Sequence, residues 1–77
     1  MENQDQAKEE IEQELEKVKY RIQIVDLIEE KLFEMRALAQ RVVDEELTDE
    51  EVESINQRVQ SLDQEIKLLN SESNGIV

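Results

Sequence analysis

At 77 residues the chain is at most one domain, and a chain this short buries only a small core unless it borrows surface from a partner. Its 39% charged residues, its two aromatics (Tyr20 and Phe33), its lack of Pro and its single glycine, Gly75, describe long solvated helices and exclude a β-rich or pocketed α/β fold. Nine bases against 21 acids give a net charge of −12, which repels phosphate backbones and anionic lipid, so no nucleic-acid partner and no membrane partner are expected.

Residues 1–4 carry no periodicity and are expected to be disordered. From Ile11 the apolar residues recur at Leu15, Val18, Ile22, Val25, Ile28, Leu32, Met35, Ala39 and Val42. Steps of four and three alternate along this row, except for two threes in succession around Val25 and Ile28, so the stripe is helical with a small phase slip. No Gly or Pro interrupts residues 5–44, and Glu, Gln, Lys, Leu and Ala dominate the surface positions. These residues favour helix intrinsically, and a first helix over 5–44 follows, about 60 Å long at the standard rise.

The stripe stops at a turn, 45–48, and a helix start follows. Thr48 and Glu51 stand at the two positions of a capping box: the Thr48 hydroxyl accepts from the Glu51 backbone N–H, and the Glu51 carboxylate accepts from the Thr48 N–H. Leu47 and Val52 occupy the places of a hydrophobic staple across that box. Asp49, Glu50 and Glu51 put negative charge where the helix dipole favours it. The second helix, predicted over 49–70, carries Val52, Ile55, Val59, Leu62, Ile66 and Leu69 in a strict three-four alternation, which is the seam of a coiled coil. Beyond Asn70 the turn-forming run of Asn, Ser and Gly predicts a disordered tail over 71–77.

Two helices joined by so short a turn run antiparallel, so the predicted fold is all-α, an antiparallel helical hairpin with a long first helix. The expected intrachain seam is Val25, Ile28, Leu32, Met35 and Val42 against Val52, Ile55, Val59, Leu62, Ile66 and Leu69. Counting outward from the turn, the second helix covers only about residues 23 to 44 of the first. Ile11, Leu15, Val18 and Ile22 are left without an intrachain partner, and Tyr20, Ile24, Leu27 and Leu38 form a further row with Lys31 at its polar step. These eight apolar residues are the expected partner or oligomer interface, and a homodimer with a four-helix arrangement is the simplest way to cover them.

Chemistry is sparse. Without Cys or His there is no disulfide, no thiolate or imidazole metal site and no imidazole proton shuttle. Residues 44–53 hold seven acids and no base. Laid on a calcium loop starting at Asp44, however, the required Gly falls on Asp49 and the required Glu on Ile55, so a solvated, capped turn accounts for the run. Neighbouring acids such as Glu9 and Glu10, or Glu29 and Glu30, diverge around a helix and suit solvation, not acid–base work. No Gly-rich phosphate loop or nucleophile elbow is present. No catalytic residue, cofactor or metal ligand is expected, and the chain is read as a non-enzymatic protein-interaction module. Arg36 and Arg41 are expected to pair with nearby acids, and Phe33 to pack at the rim of the seam. The longest apolar run, Ala37–Leu38–Ala39, is far below the ~18 residues of a spanning helix, and the acidic N-terminus is unlike a secretory signal. A cytoplasmic protein is expected, with signal-less export left open.

The middle of the chain resembles the N-terminal D1 segment of bacterial flagellins. There a helix ending in an M-R-x-L-A pattern is followed by a short turn, a T/S-D-E start and an I-x-x-x-[IV]-x-x-L-x-x-E-I helix. Met35, Arg36, Leu38 and Ala39, then Thr48, Asp49 and Glu50, then Ile55, Val59, Leu62, Glu65 and Ile66 fit this without a gap, and Asn74–Gly75–Ile76 is similar to a further N-G-[IV] segment once a gap of about two residues is allowed. The resemblance implies a bacterial helical hairpin with a flagellar component as partner. Asp44, Glu45 and Glu46 replace the usual Asn-Gly turn, Glu34 replaces a basic residue that contributes to innate-receptor contact in some flagellins, and the terminal polymerising helices are missing. A filament subunit by itself is therefore not expected. A second resemblance is to Spo0E-like regulators, acidic helical hairpins that act on a sporulation response regulator, through the helix entry Leu47–Thr48–Asp49–Glu50–Glu51–Val52. Their S-Q-E-L-D signature would fall on Asn56, Gln57, Arg58, Val59 and Gln60, of which only Gln57 matches. This resemblance implies docking on a response regulator, without the phosphatase carboxylate.

Overall fold

A computed structural model describes residues 2–75 as two helices, α1 (Glu2–Asp44) and α2 (Asp49–Gly75), joined by a turn over 45–48. The helices fold back on one another into an antiparallel hairpin measuring 69 × 18 × 11 Å. Glu2 to Asp44 is 43 residues without a helix breaker, and at ~1.5 Å per residue it accounts for nearly the whole long axis.

The turn is closed from both sides. At the end of α1 the Glu45 N–H donates to the Arg41 carbonyl at 2.9 Å, and the Arg41 guanidinium donates to the Glu45 carboxylate at 2.9 Å. At the start of α2 the Glu51 N–H donates to Thr48 Oγ1 at 3.2 Å. The Thr48 hydroxyl and N–H both donate to Glu51 Oε1, at 3.0 and 3.5 Å. This reciprocal pair satisfies donors that the first turn of a helix leaves without partners. Leu47 and Val52, flanking it, are half-buried.

Both helices extend beyond the predicted bounds. Asn3 and Gln4 are helical, as are Ser71–Gly75, where turn-forming residues predict disorder; Met1, Ile76 and Val77 lie outside the described residues. The extension of α2 has a physical support. Once a helix is nucleated, each further residue adds a hydrogen bond at little cost, and Ser73 continues the heptad row in a half-buried position. Glu72, in the same turn, accepts a hydrogen bond from Tyr20 across the hairpin. With α2 reaching Gly75, the hairpin closes near Tyr20, and residues 2–18 of α1 project past it as a single helical arm.

The core is one row per helix. On α2 it consists of Val52, Ile55, Val59, Leu62, Ile66 and Leu69, all buried or half-buried, with Leu62 at 0% and Ile55 at 6% exposure. On α1 the covered row is Arg21, Ile24, Ile28, Lys31, Met35 and Leu38. This corrects the expected seam. Ile28 and Met35 belong to it, whereas Val25, Leu32 and Val42 remain exposed. Ile24 (3% exposed) and Leu38, expected on a partner-facing surface, are enclosed within the hairpin. Helices that stay in contact over several turns need a seam of constant phase, which the unbroken three-four row through Ile24 and Lys31 supplies and the slipped row does not.

Candidate interaction surface

Among the described residues three polar contacts bridge the helices and fix their register. Lys31 Nζ donates to Glu65 Oε2 at 2.9 Å, which lets a lysine occupy a seam position with its stem half-buried and its ammonium paired. The Arg58 guanidinium grips Glu34 with both ends of its fork, Nε to Oε1 at 3.2 Å and Nη2 to Oε2 at 2.9 Å. The Tyr20 hydroxyl donates to Glu72 Oε1 at 3.0 Å near the open end. All are partly solvated, so their role is alignment more than stability. The Lys31 ammonium holds the Glu65 carboxyl below its usual range, chiefly by donating to it. Within α1 and α2 the remaining ion pairs are exposed and local, as in Lys17–Glu14 and Lys67–Asp63.

Tyr20 gives this end of the hairpin its own signal. Its phenol is raised above the ordinary value by the hydrogen bond to Glu72, then by the negative charge of Glu72 and by desolvation. A phenol whose folded pKa is raised contributes stability below its unfolded value of about 10 and loses it as pH rises through the folded value. The chain has one Tyr and no Trp. A phenolate absorbance titration should therefore show Tyr20 ionising later than free tyrosine, with Glu72→Gln moving the curve back toward it; superimposable curves for the two proteins would refute the contact.

With the hairpin seam assigned, a second row on α1 stands out. Ile11, Leu15, Val18, Ile22, Val25, Leu32, Ala39 and Val43 follow an unbroken four-three spacing, with Glu29 and Arg36 at its two polar steps, and every one is exposed. Each residue from Ile22 to Ala39 sits one place after a seam residue, so the row lies about 100° around α1 from the face that α2 covers. Through the arm the seam positions themselves are polar, Lys17, Glu14 and Glu10, so the arm does not simply continue the hairpin seam. The five residues from Ile11 to Val25 are 42% to 68% exposed. The run is a regular apolar stripe on one side of an otherwise solvated helix.

Of the expected interface residues, Ile11, Leu15, Val18 and Ile22 lie together on this row. Tyr20 and Leu27 are half-exposed on the opposite flank of the hairpin seam, and Ile24 and Leu38 are interior. Phe33, expected at the seam's rim, is 73% exposed and stands beside Leu32, Glu29 and Arg36. Spacing also did not single out Val43, Leu68 or the Glu34–Arg58 bridge. Opposite charges at equivalent heptad places on the two helices were the available sign of that bridge.

The acidic turn holds its carboxylates apart: among the described residues no three acids converge as they would around a cation. Nor is any described helix long and apolar enough to cross a membrane. The hollows along the surface are shallow and lined by exposed side chains of one helix, for example Glu9, Glu12, Gln13, Glu16 and Lys17. What the described residues build is an all-helical hairpin with an exposed apolar stripe. Comparison of the chain with known protein families, with characterised proteins and with solved structures finds no match.

Proposed function

We propose that the protein is a non-enzymatic helical interaction module that works by laying the exposed row of α1 against another helix, and that it self-associates into a homodimer with a four-helix arrangement. The observation that carries this reading is the heptad-spaced run Ile11, Leu15, Val18, Ile22 and Val25, apolar and exposed, on a helix whose other face is already occupied by α2. Three of these five residues lie on the arm, where an unaccompanied helix gains nothing from tertiary packing and is marginal by itself. The resemblance of residues 35–66 to the flagellin D1 segment points to a flagellar component as a further partner. The row beyond Glu29, through Leu32, Ala39 and Val43 with Phe33 beside it, provides surface for that contact by helix packing.

Leu15→Glu with Ile22→Glu is expected to abolish self-association in sedimentation equilibrium while the hairpin keeps its thermal midpoint, since neither side chain is part of the intrachain seam. Unchanged association would sink the reading. The alternative, docking of α2 on a response regulator, is favoured by one observation: Asn56, Gln57 and Gln60 are all exposed on the outer side of α2. An unaltered lifetime of the phosphorylated receiver in the presence of the protein, together with no binding to it, would dispose of that alternative.

A further inference from the structure

We propose that the occupant of the arm's apolar row is a second copy of the chain lying antiparallel, with the two-fold axis crossing α1 between Glu16 and Lys17; this rests on the self-association proposed above and adds its orientation and register. In that register Ile11 meets Ile22 of the partner, Leu15 meets Val18, and Val25 meets the aliphatic stem of Lys8, each contact occurring twice by symmetry. All five apolar residues of the run are covered. Each arm then lies along the end of the other copy's hairpin, which supplies the neighbour that it lacks within its own chain.

Charge selects this arrangement. The positions that flank the row bring Glu12 opposite Lys19 and Glu14 opposite Arg21, so two kinds of acid–base pair form, each twice. Among the described residues Glu14 pairs with Lys17 through one oxygen at 3.5 Å and Lys19 with Glu16 at 3.6 Å, both exposed contacts. Asp5 opposite Asp26 is the one like-charged flank pair, at the outer end of the paired stretch. Glu29 falls opposite Gln4 at the edge, and none of the described residues of the partner stands opposite Arg36. A parallel pairing would instead stack Lys8 on Lys8, Glu29 on Glu29 and Arg36 on Arg36 inside the row, in a dimer already carrying −12 per chain.

The absence of native cysteine makes disulfide trapping clean. In the antiparallel register the two copies of residue 11 are separated by about 16 Å along the axis, too far for a disulfide, which needs Cα atoms within about 7 Å. Under mild oxidation Ile11→Cys alone and Ile22→Cys alone should remain uncrosslinked, and a mixture of the two should yield the covalent heterodimer. Lys19→Glu should weaken the dimer about tenfold, and adding Glu12→Lys to the same chain should restore it. Rapid crosslinking of Ile11→Cys with itself, or no rescue by Glu12→Lys, would overturn the antiparallel register while leaving self-association in place. A wild-type chain that stays monomeric up to millimolar concentration in sedimentation equilibrium would overturn both.

Discussion

Replacing Leu62 by Ala is expected to remove much of the hairpin's stability, seen as a large fall in the urea midpoint of the helical circular-dichroism signal. Among the described residues Leu62 is the one side chain with no exposed surface, set in the middle of the α2 row. Truncating a buried leucine costs about 2–5 kcal/mol, the spread depending on how far the neighbours collapse into the space. A chain of this length has a total stability of only about 4–12 kcal/mol, so the change takes a large share of it. A hairpin core one row deep has no further layer from which to refill the gap. Leu68→Ala is the matched control. It is the same substitution less than two turns away at a side chain 72% exposed, and it should shift stability by no more than about 0.5 kcal/mol. Equal midpoints for the two variants would contradict the packing described.

The second large effect separates two residues that spacing places on the same outer row. Ile24→Glu should unfold the hairpin, because Ile24 is 3% exposed and a carboxylate there would face the apolar row of α2 without a partner. An uncompensated buried charge costs several kcal/mol unless the group takes up a proton, so the loss should be steepest at neutral pH and smaller in acid. Leu27→Glu, at a side chain 44% exposed, should leave helicity and thermal midpoint nearly unchanged. Thermal melts of both variants, followed by circular dichroism, decide it. Similar midpoints would mean that the hairpin uses a different face of α1.

What separates Ile24 from Leu27 also shows how far the residues alone can be read. The helices, their antiparallel sense, the turn and the α2 row follow from local rules: a strict heptad, a capping box and the lack of breakers. The row on α1 does not, because two apolar rows run side by side along it, one through Ile24, Ile28 and Met35 and the other through Ile22, Val25 and Leu32. Joining them through a slip at Val25 and Ile28 collects more apolar residues but gives a seam that wanders around the helix. The structure keeps the phase and accepts Lys31 in the seam, and what makes Lys31 acceptable is Glu65, thirty-four positions away. No local pattern contains that pairing. The same holds for the end of α2, where Ser71–Gly75 look like a turn until Tyr20 is brought opposite Glu72. The arm's share of the second row, Ile11, Leu15 and Val18, is legible because α2 is too short to reach it; from Ile22 onward the row is exposed because it lies beside the seam and not on it.

The rod shape governs how the molecule moves through water. Its radius of gyration is 19.6 Å, whereas a compact chain of this length would have about 11 Å. Friction scales with the long axis, so a single hairpin diffuses and elutes like a considerably heavier sphere. A gel-filtration column calibrated with globular standards would report the 9.1 kDa monomer at the position of a dimer. The copy number of this hairpin is therefore measured by light scattering or sedimentation equilibrium, which weigh the particle independently of its length.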